Sequence, residues 1–166
     1  IDNDGTIYQT IDMQHGCWHA GSERANRASV GVEISNAYYP KYQDWYIRNG
    51  HGERPLLEGV RCQGEELEPF MDFYPVQIRA LKQLWKAIHE GLKIPYTAPL
   101  NQFGNTDNNY AQHVKYGDFK GFASHYHVSK NKIDCAGLDI KKLLEEVEDE
   151  EKSGYSNASA ACEDDS

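Results

Sequence analysis

The sequence lacks the features that mark several large classes of protein. No apolar run approaches the roughly 18 residues that a transmembrane helix needs, so no membrane span is predicted. No basic patch is evident, which argues against a nucleic-acid partner. No signal peptide and no internal repeat are visible, but the chain opens on Ile1 rather than Met, so we expect upstream sequence to precede it.

Cysteine is scarce and poorly placed for a disulfide framework. The four cysteines are widely spaced and form no Cys-x-x-Cys pair: they are Cys17, Cys62, Cys135 and Cys162. Such spacing favours free thiols, although it leaves a single bridge open.

Negative charge is abundant but concentrated at one end of the chain. The formal net charge is −9, and residues 143–166 account for nearly all of it, with nine acidic residues against one lysine. The length of 166 residues suits one ordinary domain. We therefore predict a folded domain over residues 1–142, followed over residues 143–166 by the end of a last helix and an acidic disordered tail.

Two segments near the start have the pattern of β-strands. Asp4 and Gly5 form a turn signal before the strand-like residues 6–11. In residues 29–35 every second residue is apolar, which places Glu33 on the opposite, polar face of the predicted strand.

The clearest helix is predicted from Pro75 to about Glu90. Pro75 suits the first helical position, and Gly91 suits the C-terminal cap. A last helix is predicted over residues 138–151, and residues 36–73 are a long irregular insertion with short elements. Together these elements predict an α/β fold, a mixed central β-sheet flanked by helices, with parallel and antiparallel neighbours.

The densest collection of reactive side chains lies late in the sequence. It comprises His125, His127, Lys132, Asp134 and Cys135. Zinc binds His nitrogen, Cys sulfur and Asp oxygen, and a catalytic zinc keeps three protein ligands and one open position. On the strand or loop predicted for residues 122–128, the two histidines would share one face. This spacing alone leaves open whether they bind a metal or are ordinary solvated or buried histidines.

Two other places combine residues that could act on a substrate. Glu33 either faces solvent at a sheet edge or faces a cleft as a general base. Trp18 and His19, beside Gly21, either line a sugar or peptide site or pack as structural residues. The residue pattern alone does not separate these alternatives.

Four motifs, taken in order, resemble the type 2 N-acetylmuramoyl-L-alanine amidase family, which includes amidase-type phage lysozymes and animal peptidoglycan recognition proteins. The family's DGxIxQ strand, WHAG loop, N..SIGIE segment and GH...KxD segment correspond to residues 4–9, 18–21, 26–33 and 124–134. The resemblance covers about residues 1–140. It implies the fold of that family and one bound zinc ion. It also implies hydrolysis of the amide bond between the lactyl group of N-acetylmuramic acid and L-alanine in peptidoglycan.

The resemblance also implies a role for each matching residue. His125 and Asp134 would be zinc ligands. Glu33 would activate the attacking water and pass its proton to the leaving amine, and Lys132 would stabilise the oxyanion.

Three further residues fall in the loops that form the family's cleft. They are Trp18, His19 and Asn26, and they are expected to bind substrate.

Three departures from the family pattern affect the expected ligands. The first ligand in the family is a His on an early strand, which here is expected upstream of Ile1, so the chain as given is expected to bind zinc weakly. Cys135 replaces the usual Pro and is an alternative to Asp134 as the third ligand. His127 stands where many relatives carry Asp, so it is a further candidate ligand or a support for one.

Two other functions compete with this interpretation. A recognition module of the same fold would bind peptidoglycan without cleaving it. A Cys–His hydrolase would use Cys135 or Cys17, but neither lies in a recognisable nucleophile setting. A bacterial or phage origin is expected, and the sequence leaves open whether the parent is a lysin, a recycling enzyme or a secreted hydrolase.

Overall fold

The computed structural model describes residues 1–161, with side chains as far as Ser153. Its elements are α1 (Glu23–Ala28), a 3-10 helix (Pro40–Tyr42), α2 (Gln43–Arg48), β1 (Leu56–Leu57), β2 (Arg61–Cys62), β3 (Glu65–Glu66), β4 (Phe70–Met71), α3 (Pro75–Leu92), α4 (Gln112–Lys115), α5 (His125–Val128) and α6 (Ile140–Ala161). The described structure contains both helices and small antiparallel sheets, which is consistent with the predicted α/β class. Within the described part, no helix combines the length and apolarity of a membrane span.

The helix predicted from Pro75 is confirmed as α3 and organises the main core. It ends slightly later than predicted, because Gly91 stays helical and Lys93 takes the left-handed cap position with φ of 58°. The side chains of its apolar stripe pack against α6 and a neighbouring loop. The buried members of this core are Leu81, Trp85, Ile88, Phe122, Ile140 and Leu144.

The last helix, α6, crosses the domain boundary predicted at residue 142. Leu144 and Val147 are only 2% exposed, so this part of the helix belongs to the fold. The helix continues to Ala161, through much of the segment predicted to be a disordered tail. The rest of that tail, residues 162–166, lies outside the described residues.

The predicted mixed central sheet is not found in the described residues. The sheets there are two antiparallel pairs, β1 with β4 and β2 with β3. Both belong to the insertion of residues 36–73, and neither includes residues 6–11 or 29–35. The turn at Asp4 and Gly5 does form, with a hydrogen bond from the Gly5 amide to the Asp2 carbonyl at 3.0 Å.

The segment around Glu33 has the sequence pattern of a β-strand but does not pair into a β-sheet in the described structure. Its main chain pairs with Ile1 in parallel fashion: the Ile1 amine donates to the Glu33 carbonyl at 2.6 Å, and the Ser35 amide donates to the Ile1 carbonyl at 2.9 Å. A strand needs a neighbour of comparable length to satisfy its main chain. No described segment runs alongside it for longer, so the alternating pattern does not lead to a described strand, although Val32 and Ile34 pack partly buried against the main core.

The insertion folds as one hairpin inside another and packs beside the candidate site. Leu56 pairs with Met71 in the outer hairpin, and Cys62 pairs with Glu65 in the inner one. A Cβ added to Gly137 would lie 2.6 Å from the Cδ1 atom of Leu57, so the two segments pack without room for a side chain. This close approach brings the insertion against the segment that follows Asp134.

Candidate metal centre and active site

A tight loop brings Ser124 and Asp134 together. The Ser124 hydroxyl donates to the Asp134 carbonyl at 2.7 Å and accepts from the Cys135 amide at 2.7 Å. The Tyr126 amide also donates to the Asp134 carbonyl, at 3.3 Å. These bonds fix where His125 stands relative to Asp134.

The side chains of His125 and Asp134 meet at the surface of this loop. The Nδ1 atom of His125 lies 2.8 Å from the Oδ2 atom of Asp134, with the side chains 24% and 55% exposed. Two ligands of one tetrahedral zinc lie about 3.3 Å apart when each metal bond is about 2.0 Å. A small movement would therefore let both atoms bind one zinc ion. No group of three or more His, Cys, Asp or Glu able to hold a metal occurs among the described residues.

Cys135 is half-buried beside this pair. Burial is the main cause that raises the pKa of the Cys135 thiol to about 12, with the carboxylate of Asp134 adding to it. The negative charge of Glu33 makes the smallest contribution to the rise of the same pKa. The loop therefore places both candidate third ligands, Asp134 and Cys135, next to each other.

Glu33 and Lys132 are exposed and carry free charged groups. Within the described part of the chain, no hydrogen bond or ion pair engages the carboxylate of Glu33 or the ammonium of Lys132. Lys132 belongs to the same loop as His125, and its amide donates to the Ser129 carbonyl at 3.2 Å. Both charges are therefore available to a substrate or to water.

His127 occupies a different environment from His125. The residues form the short helix α5 rather than the predicted strand or loop, because the Ser124 amide donates to the Nδ1 atom of His127 at 2.9 Å and caps the helix. The Nε2 atom donates to the Asp107 carbonyl at 2.6 Å, so both ring nitrogens are engaged. The side chain is fully buried, and burial lowers its pKa to about 4. The expectation that the two histidines share one face is wrong, and His127 has no nitrogen free for a metal.

The loop containing Trp18 and His19 is held by Asn26. The Oδ1 atom of Asn26, which is buried, accepts hydrogen bonds from the amides of His19 and Ala20 at 3.0 and 2.7 Å. This arrangement makes Asn26 a support for the loop. Trp18 projects outward with 80% of its surface exposed.

The ring of His19 connects this loop to the segment of Glu33. Its Nε2 atom lies 2.8 Å from the Ser29 hydroxyl. A Cβ on Gly31 would lie 2.6 Å from the His19 ring, so the ring packs directly on the glycine backbone. His19 is therefore next to the chain that carries Glu33, while its neighbour Trp18 is exposed to solvent.

The site also depends on residues that the sequence did not single out. Ser124 was recognised only as part of a motif, although a Ser three residues before a polar side chain is a helix-capping signal. Asp107 supports His127 through its main-chain carbonyl, which no side-chain pattern reports. The same holds for Gln63, whose partners are carbonyl groups distant in sequence.

The chain matches the family described as N-acetylmuramoyl-L-alanine amidase over residues 1–135. It belongs to this family. The matched range contains Glu33, His125, Lys132 and both candidate third ligands, so the resemblance read from the four motifs is confirmed. Neither the curated proteins nor the solved structures gave a match to the chain.

Membership of the amidase family sets the general chemistry. The family hydrolyses amide bonds and acts on peptidoglycan, and it is generally zinc-dependent. An imidazole nitrogen and a carboxylate oxygen side by side, as in His125 and Asp134, fit the ligand types that zinc accepts.

Proposed function

We propose that the protein is a zinc-dependent amidase that cuts the bond between the lactyl group of N-acetylmuramic acid and L-alanine in peptidoglycan. The observation that carries this proposal is the 2.8 Å approach of His125 and Asp134 on one loop, within the range matched to the family. Two donors at this distance would supply two of the ligands of a metal ion, and the family's reaction is generally zinc-dependent.

His125 and Asp134 would hold the zinc ion, and the third ligand would be a His that precedes Ile1. Cys135 is the alternative to Asp134, but its thiol has a pKa raised by burial, whereas the carboxylate of Asp134 already touches the His125 ring. When bound, zinc supplies positive charge that polarises the scissile carbonyl and makes a water more acidic.

Glu33 would move the protons of the reaction. Its free carboxylate accepts a proton from the attacking water and delivers it to the nitrogen of L-alanine, so that the amine leaves neutral. A general base needs an unpaired carboxylate, and among the described residues Glu33 has no hydrogen bond or ion pair at its carboxylate.

Lys132 would stabilise the negative oxygen that develops on the carbonyl. A fixed ammonium is effective only if it is held where that charge appears. Trp18, exposed on its loop, would contact the sugar or the peptide, while His19 and Asn26 shape that loop.

The alternative function is peptidoglycan binding without cleavage. The observation in its favour is that the described residues bring together two suitable metal donors but not three. A recognition module would retain the exposed aromatic loop and bind muramyl-peptide, but it would not turn it over.

The test measures zinc content and muramyl-peptide hydrolysis in the full-length protein. We expect one zinc per chain and release of the peptide from the lactyl group. Glu33→Gln should keep zinc and lose turnover, and His125→Ala should lose both. Glu66→Gln, a change at an exposed carboxylate of the insertion, is the matched control and should behave as wild type. Tight binding of muramyl-peptide with no turnover by the wild-type protein would instead establish the recognition function.

A further inference from the structure

The tip of the inner hairpin of the insertion reaches into the site loop. Gln63 stands in the turn between β2 and β3, and its φ of 55° is left-handed, a conformation that non-glycine residues seldom adopt. Its amide donates to the Asn108 carbonyl at 3.0 Å. The turn therefore directs the side chain of Gln63 away from its own hairpin and towards the loop that follows His125.

The carboxamide of Gln63 forms hydrogen bonds with main-chain groups of two other segments. Its Nε2 atom donates to the carbonyls of Tyr126 and Ser129 at 2.8 and 3.1 Å, and lies 3.4 Å from the carbonyl of Lys132. Its Oε1 atom accepts from the Tyr110 amide at 3.0 Å. One side chain thus connects the insertion to both ends of residues 126–132.

The second half of this loop, residues 129–132, has little other support from side chains, whereas Tyr126, His127 and Val128 are buried. Among the described residues, Gln63 supplies the side-chain hydrogen bonds that reach the main chain of residues 129–132 from outside the loop. The loop joins His125 at one end to Lys132 at the other. Its conformation therefore decides where the Lys132 ammonium stands relative to the pair of His125 and Asp134.

We propose that Gln63 is a positioning residue for the reaction, because it holds the loop that places Lys132 beside the metal ligands. The inference rests on the function proposed above. It assigns to the insertion a role in catalysis as well as in folding. A charge held in advance stabilises a developing oxyanion without reorganising, whereas a mobile one loses much of that effect.

Two substitutions separate positioning from general stability. Gln63→Gly removes the carboxamide but suits the left-handed backbone, so the strain it relieves offsets part of the stability it loses. Gln63→Glu keeps the length but turns an acceptor-only carboxylate towards two or three carbonyl oxygens. Glu66→Gln, on the same hairpin and without a contact to the loop, is the matched control.

The kinetic test uses the zinc-loaded full-length protein and a soluble muramyl-peptide. We expect kcat to fall by about 10- to 100-fold in Gln63→Gly and Gln63→Glu, with zinc content and KM nearly unchanged, because a displaced catalytic group costs rates of that order. Glu66→Gln should keep the wild-type kcat. A wild-type kcat in either Gln63 variant, counted per folded and zinc-loaded molecule, would overturn the inference.

Hydrogen exchange of the backbone amides in residues 126–132 gives a readout that needs no activity. Both Gln63 variants should exchange faster there, and the Glu66→Gln control should not. If the wild-type protein fails to cleave any muramyl-peptide, the proposed function fails and the catalytic role of Gln63 fails with it. The hydrogen-exchange measurement would then still show whether Gln63 holds the loop of residues 126–132 in place. Unchanged exchange in both variants would overturn the inference even in an active enzyme.

Discussion

The two halves of the candidate site are held in place by different kinds of contact. The half with His125 and Asp134 is organised locally, because Ser124 bonds to the main chain on both sides of the peptide linking Asp134 to Cys135. The segment that carries Glu33 is not part of a described β-sheet, and its position depends on contacts with residues far away in sequence. We call these the ligand half (His125 and Asp134) and the base half (Glu33). Substitutions in the loop of residues 124–135 should therefore disturb the ligand half, and substitutions in the insertion should disturb the base half.

Arg54, a buried residue of the insertion, shows how the base half is held. Its guanidinium is 1% exposed and lies between the rings of Tyr46 and Tyr74, at 4.4 and 4.1 Å from their centroids. It donates to the Ser35 carbonyl at 2.9 Å and to the side chain of Asn3. Arg54 thus ties the insertion to the chain just after Glu33 and to the first turn of the protein.

The largest expected effect lies in the ligand half, at the choice between Asp134 and Cys135. Asp134→Ala should release zinc and abolish turnover, because it removes the donor that touches the His125 ring. Cys135→Ala should keep one zinc per chain. Metal analysis after dialysis distinguishes the two variants. Zinc retained in Asp134→Ala and lost in Cys135→Ala would reverse the assignment.

The next effect tests the base half through Arg54. Arg54→Met should lower the free energy of unfolding by about 2–4 kcal/mol, since it leaves the Asp72 carbonyl and the Asn3 side-chain oxygen without their donor and removes bonds to Ser35 and Gln77. Turnover should also fall in the molecules that remain folded, whereas zinc content should not, because the ligand loop makes no bond to Arg54. Urea denaturation and metal analysis measure both quantities.

A matched arginine provides the control for that experiment. Arg48 is exposed on α2 and bonds only within its own helix, through the Asp44 carbonyl at 3.1 Å. Arg48→Met should change stability by no more than about 0.5 kcal/mol. Zinc lost together with stability in Arg54→Met would show that the two halves are not independent.

A smaller effect is expected from Ser124 in the ligand half. Ser124→Ala removes both side-chain bonds at the end of the loop but keeps the amide that caps α5, and should cost about 1–2 kcal/mol of stability. It should weaken zinc binding by about 10- to 100-fold, as the loss of a residue that orients a ligand commonly does. Ser129→Ala changes a serine of the same loop that makes no described bond to Asp134. It should lower both the stability and the zinc affinity by less than Ser124→Ala does. An equal loss of zinc in both variants would contradict the local account of this half.

The contrast between the halves also explains what could be predicted from sequence. The α3 helix, the turn at Gly5 and the approach of His125 to Asp134 depend on local patterns or on a family motif, and they could be predicted. The contacts of Arg54 and Gln63 could not, since their partners are mostly main-chain carbonyls distant in sequence. The strand expected around Glu33 failed for the related reason that a strand forms only with a neighbour. The helix α5 was missed because a capping bond outweighed the alternation of two histidines.

The smallest effect is expected from the end of the chain. Near this end, Glu151 of α6 accepts a hydrogen bond from the Tyr96 hydroxyl at 2.9 Å and lies 3.9 Å from the Nζ atom of Lys86. Deleting residues 153–166 keeps these contacts and should leave the melting temperature, zinc content and turnover unchanged within error, although the segment is partly helical.

A slightly longer deletion provides the comparison for that prediction. Removing residues 150–166 also takes away Glu151 and the partner of Lys82, whose Nζ atom lies 2.5 Å from the Glu150 carboxylate. Losing these contacts from a core helix should lower the melting temperature by a few degrees, as about 1 kcal/mol does in a domain of this size. Zinc binding and turnover should still be retained, because the contacts described for Glu150 and Glu151 go to α3 and Tyr96 and not to either half of the site. A drop in melting temperature already in the shorter deletion would show that residues after Lys152 dock on the fold. A loss of zinc in either deletion would show that the ligand half depends on α6 as well as on its own loop.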